Sequence, residues 1–292
     1  MIPPRWALVP LAGSIAIGAL LGLLASLPMS PRAPWVSAVV GPAAAIAIYL
    51  VWTRRDRRRR RLASEPFPEA WRSALERYVG YYRRLDPQEK TRFENEVRFF
   101  LDEQVITGPR GAPVEDALRV LVAASAVILA FGLPGHRYAR LRDVVLYEEA
   151  FDEEYAVRAD GNVLGMVHAQ GPILLSARSL KSGFLGDGDG RNVGLHELAH
   201  VLDFDSGHAD GVPSTLPWRE VLPWIGLMKR EIARVKANRS VLRAYAATNE
   251  AELFAVATEA FFERPAALRA RHPELYAMLS RAYGQDPAAR AE

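Results

Sequence analysis

Two uncharged apolar stretches, Trp6–Pro28 and Ala33–Trp52, stand ahead of everything else in this chain. A spanning helix needs about 20 predominantly apolar residues, and neither stretch carries the charged face of a half-buried surface helix. They are therefore expected to form a two-helix transmembrane hairpin, over residues 6–28 and 33–52. Seven arginines follow within residues 54–61. Such a run beside an apolar segment is expected to stay on the cytoplasmic side. That implies a multi-pass protein of the cytoplasmic (inner) membrane, with the remaining domain, residues 62–292, in the cytoplasm. Residues 1–28 also have a positive start and small residues near Ala25, as a cleaved signal segment would; the second stretch would still leave the domain in the cytoplasm.

Charge divides at the same place. Residues 1–61 carry +8, which leaves −5 for residues 62–292. The basic character belongs to the arginine run, and the domain itself lacks the basic stripe of a nucleic-acid binder, so no nucleic-acid partner is expected. There is no cysteine, which excludes disulfide scaffolds, thiol nucleophiles and thiolate metal sites.

Residues 62–292 read as a mainly helical α+β domain. Trp71, Leu75, Tyr78, Val79 and Tyr82 recur at helical spacing. Asp86-Pro87-Gln88-Glu89 carries a cap residue, a proline at the first helical position and a glutamate at the third. Val120–Leu133 reads as a central core helix. The period then shortens to that of a small mid-chain sheet: Asp143–Tyr147, a hairpin turning at Asp160-Gly161 between Ala156–Arg158 and Val163–Gly165, and Pro172–Ser176. Gly183–Gly190 reads as a flexible loop. Helical patterns return from Asn192 and through Trp218–Ala237, Asn249–Glu263 and Pro265–Tyr283.

Residues 196–200 spell His-Glu-Leu-Ala-His. On a helix, positions i and i+4 share a face, so His196 and His200 can grip one metal ion together. Glu197 lies beside that face and can take a proton from a water that the metal activates. Asn192 can cap such a helix, and Leu195, Leu198, Ala199 and Leu202 give it a buried side. The strand Ile173–Ser176 just upstream is where peptidases of this kind keep an edge strand for the substrate backbone.

A catalytic metal needs a third protein ligand. Asp203 shares the histidine face, where a carboxylate so close is expected to orient a histidine rather than bind the metal. The extended metzincin pattern would need glycine at 203 and histidine at 206; the chain has Asp203 and Ser206. The downstream helix offers Glu250, Glu252, Glu259 and Glu263. Glu252, Val256 and Glu259 share one face, and Glu250 lies about 200° around the helix from Glu252. The residues alone leave Glu252 and Glu259 open as the ligand.

Several stretches carry a resemblance: Pro66–Trp71, Gly171–Ser176, Asn192–Asp203, Ala209–Pro213, and Tyr245–Val256 with Glu259 and Phe261-Phe262. In these the chain resembles the Mlc titration factor A family of zinc-dependent peptidases. It is similar in catalytic plan to the anthrax lethal factor metalloprotease domain, and thus gluzincin-like. The resemblance implies a zincin-like fold, a Zn2+ cofactor, and a third ligand seven residues after a tyrosine, which is Glu252 after Tyr245. It implies that Tyr245 donates a hydrogen bond to the oxyanion and that activity is aminopeptidase-like on peptide or protein substrates. Glu259 is then expected to support a ligand histidine. The family's name also implies a regulatory protein partner. The chain departs from the family at Glu250, where proline is common.

Overall fold

The computed structural model describes Ile15, Ile17, residues 35–136, 138, 141, 143–148, 172–186, 190–205, 207 and 209–290. These fall into two units, Met1–Pro66 and Phe67–Glu292.

In the first unit, helix α1 spans Trp35–Trp52 with Pro42 inside it, and α2 spans Arg54–Ser64. Among the described residues, no helix is long and apolar enough to cross a membrane. This corrects the expected transmembrane hairpin, and with it the multi-pass membrane placement, and leaves the membrane as a partner without support. The 18 residues of α1 rise only about 27 Å, short of a hydrocarbon core about 30 Å thick. Pro42, inside the helix, also removes an amide donor. The first apolar stretch lies outside the described residues except for Ile15 and Ile17. Arg57 reaches back across the junction, donating to Thr53 Oγ1 at 2.6 Å and to the Leu50 carbonyl at 2.7 Å. Arg57 thereby satisfies one carbonyl group at the C-terminal end of the apolar helix.

The second unit is mainly helical with a small sheet, the expected α+β class. Among the described residues its helices are α3 (Glu69–Tyr78), α4 (Gly80–Arg83), α5 (Pro87–Glu103) and α6 (Asp116–Ala130), followed by α7 (Ala177–Leu185), α8 (Val193–Phe204) and α9 (Val221–Lys236). The chain ends with α10 (Glu250–Glu263), α11 (Pro265–Arg271) and α12 (Pro273–Tyr283). The Asp86 capping box forms as the residues suggest: Asp86 Oδ1 accepts from the Gln88 and Glu89 amides at 2.8 Å. Every residue of α6 from Val120 to Leu129 is buried, which explains its apolar character on all sides. Helices α3, α5 and α8 pack around it.

Strands β1 (Ile106–Thr107), β2 (Val144–Tyr147) and β3 (Ile173–Ser176) form one parallel sheet in that order. Val144 pairs with Ile106 on one side and with Ile173 on the other. The expected hairpin around Asp160-Gly161 lies outside the described residues.

Four boundaries differ from the periodicity. The helix through Trp71–Tyr82 breaks at Val79, which adopts an extended conformation ahead of Gly80. The last helical pattern splits at His272, whose φ of −136° and ψ of 59° reflect the Pro273 ring that bars it from helical geometry. The expected loop Gly183–Gly190 begins only after Leu185, because Ser176 caps a helix that absorbs Gly183. Strand β1, at two residues, is too short to show alternation.

A candidate metal centre between two packed helices

Helix α8 carries the histidines and is fastened at its start by Asn192, whose Oδ1 accepts from the Leu195 amide at 3.2 Å. Gly194 costs helix propensity but permits packing: a Cβ there would collide with Ser125 Oγ and Leu180 Cδ1. Its absence lets α8 lie close against α6. The other side of α8 faces α10. Asn249 caps α10, accepting from the Glu252 amide at 2.8 Å, so Glu252 sits in the first turn.

This packing brings His196, His200 and Glu252 together, with one ligand atom from each lying within 4.8 Å of the others. Glu252 Oε2 is 3.1 Å from His196 Nε2 and 3.6 Å from His200 Nε2. Ligands on a tetrahedral ion with bonds of 2.0–2.1 Å sit about 3.3–3.4 Å apart, so these donors suit such an ion. His196 Nδ1 meets Glu259 Oε1 at 2.7 Å, which leaves Nε2 aimed at Glu252. Burial works against a charged His196, but Glu259 and Glu252 outweigh it and raise its pKa to about 10. That pull toward positive charge is one a metal cation would also satisfy. Burial opposes ionisation of Glu252, yet its hydrogen bonds to the two histidines hold its carboxyl well below the usual range.

Glu197 is half-buried, and its charge acts on both His196 and Tyr245. Tyr245 lies in a short 3-10 turn, Ala244–Ala247, packed against α10. Its ring centre is 6.1 Å from that of His196. Burial, then the Glu252 and Glu197 charges, push its phenol well above the ordinary value, so it stays an O–H donor.

Glu259 is fully buried. Besides His196, its carboxylate accepts from the Asn192 amide at 2.7 Å and from Arg243 Nη2. Arg243 escaped the sequence reading, because no local pattern marks it. Glu250 is exposed at the start of α10, and Glu263 accepts from Asn192 Nδ2 at 3.2 Å.

Asp203 is also fully buried, and its Oδ2 accepts from the Gly211 amide at 2.8 Å. Gly211 has φ +74°, and a Cβ there would collide with the Glu250 carbonyl. Its own carbonyl accepts from Trp224 Nε1 at 2.7 Å. The loop after α8 is thus clamped onto the first turn of α10, which carries Glu252. Gly211→Ala should cost at least about 2 kcal/mol through the positive φ and the collision. An unchanged urea midpoint would contradict this.

Burial pushes the Asp203 carboxyl up to about 6 against the lowering effect of the Gly211 amide. The unfolded chain ionises it near 3.8, so this group makes stability fall as pH rises from about 4 to about 6, with no further loss above. Asp203→Asn keeps an acceptor for Gly211 and should remove that slope in metal-free protein. Parallel stability–pH curves for the two proteins would rule it out.

A family model described as glucose-regulated metallo-peptidase M90 matches residues 53–284. The chain is 30% identical over 273 residues to an uncharacterised protein of Synechocystis, covering 89% of this chain and 98% of that one. It is 29% identical over 238 residues to the Mlc titration factor A of Serratia proteamaculans, covering 76% and 89% of the two chains. With the Mlc titration factor A of Yersinia pestis the identity is 32% over 211 residues, covering 64% and 76%. All the residues gathered at this centre lie inside the matched span.

Proposed function

The chain belongs to the glucose-regulated M90 metallopeptidase family, and from that premise we propose that it is a zinc-dependent peptidase. The observation that carries the reading is the approach of Glu252 Oε2 to His196 Nε2 at 3.1 Å and to His200 Nε2 at 3.6 Å, in a His-His-Glu group beside Glu197. These three residues would hold the ion, which when bound would supply polarisation of a scissile carbonyl and a water with a pKa lowered to about 7.

The chain's own groups do the rest. Glu197 accepts the proton of the attacking water and returns it to the leaving amine nitrogen. Tyr245 donates its O–H to the carbonyl oxygen as negative charge gathers there. Glu259 fixes the His196 ring through Nδ1. Strand β3 ends the described sheet, packs against α8, and pairs with the extended backbone of the substrate. Cleavage is directed to the amino-terminal end of peptides, in keeping with the family resemblance.

A second reading rests on the name of the Serratia and Yersinia relatives, titration factors: the domain also sequesters a regulatory protein. The two roles are compatible, but sequestration alone gives no use for Glu197 beside a ligand set.

Elemental analysis of the purified chain should find one zinc per molecule. Digestion of a peptide library followed by mass spectrometry should release amino-terminal residues, stop on chelation, and resume on adding zinc. Protein without bound metal, or hydrolysis indifferent to chelation, would overturn the peptidase reading; internal cuts alone would overturn only the end-directed part.

A further inference from the structure

We propose that Arg243 is a positioning residue of the metal centre: its guanidinium offsets the buried Glu259 carboxylate that holds His196 and, from the same side chain, steadies the Tyr245 ring. The inference rests on the zinc-peptidase reading and extends it to a residue outside the ligand set, the base and the oxyanion donor.

The Glu259 carboxylate, with no solvent exposure, has lost its hydration and needs donors and an opposing charge to remain in place. Its Oε2 is met by the Asn192 amide, and its Oε1 by His196 Nδ1 and Arg243 Nη2. The Asn192 amide and the His196 ring supply hydrogen bonds, and Arg243 adds a permanent positive charge to this cluster. The same Nη2 lies 3.3 Å from His196 Nδ1, so the guanidinium closes a triangle with both members of the Glu259–His196 pair.

The second contact is with the phenol. Arg243 immediately precedes the 3-10 turn that carries Tyr245, and its guanidinium carbon lies 5.8 Å from the centre of the Tyr245 ring. One planar cation therefore bears on the support of a metal-binding histidine and on the oxyanion donor. A lysine supplies the charge without the planar fork or the flat face.

The test uses the full chain. Zinc affinity is measured by competition with a chromophoric chelator, and the visible spectrum is recorded with cobalt in place of zinc. Arg243→Ala is expected to weaken zinc binding by about 10–100-fold, the range for residues that support a ligand, and to alter the cobalt spectrum. Arg243→Lys should recover part of the affinity. In the Glu259→Gln background, Arg243→Ala should add little further loss, because the two act as one unit. A general loss of fold would instead lower the melting temperature of the metal-free protein, leave the cobalt spectrum of the folded fraction unchanged, and add fully to Glu259→Gln. That result, or parental affinity and spectrum in Arg243→Ala, overturns the proposal. A parent chain that binds neither zinc nor cobalt defeats the metal reading itself, and the role of Arg243 with it.

Discussion

Glu197→Gln is expected to keep one zinc per chain and to lose peptide hydrolysis by about 10²–10⁴-fold, the usual contribution of a positioned general base. The amide is nearly isosteric with the carboxylate, so the packing of α8 should be undisturbed. What disappears is the capacity to accept a proton from water and pass it to the leaving nitrogen. His196, His200 and Glu252 are untouched, which is why metal content separates this variant from a ligand variant. Stoichiometric zinc together with undiminished turnover would remove Glu197 from the mechanism.

Glu252→Ala is the second large effect. It should lose bound zinc more severely than Glu259→Ala, for which the expected weakening is about 10–100-fold. The distances set this order. Glu252 Oε2 faces the Nε2 atoms of both histidines, whereas Glu259 Oε1 engages Nδ1 of His196 alone. Glu252→Ala takes away one of three donors, while Glu259→Ala leaves all three and frees one ring to reorient. Dialysis against a graded zinc buffer would rank the two. If Glu252→Ala held zinc like the parent and Glu259→Ala did not, their roles would have to be exchanged.

Features carried by neighbouring residues were legible in the sequence. The Asp86 capping box, the Asn192 cap and the buried α6 all follow from residues within one or two turns of each other. Breaks in long helical patterns were harder to read, although Pro273 offered a usable signal at His272. Helix α7 was hidden because glycine is scored as a loop former, while its Ser176 cap and buried Leu180 and Phe184 outweigh Gly183. The apolar stretch at Ala33–Trp52 was read by its lack of charge, whereas spanning also depends on helix length and on how apolar each position is.

The pairing of His196 with His200 was written into a five-residue spacing, because the pitch of one helix places i and i+4 together whatever surrounds them. The choice between Glu252 and Glu259 was not, and residue periodicity alone left both open. Their distances from the histidines depend on how α10 lies across α8. Gly194 admits α6 on the far side of α8, and Gly211 holds the loop after α8 against the first turn of α10. Arg243 joins the cluster through the same packing, from a segment with no periodicity of its own. Helical pitch is a local property of the backbone, whereas the meeting of groups tens of residues apart is decided by which side chains leave room for two helices to touch.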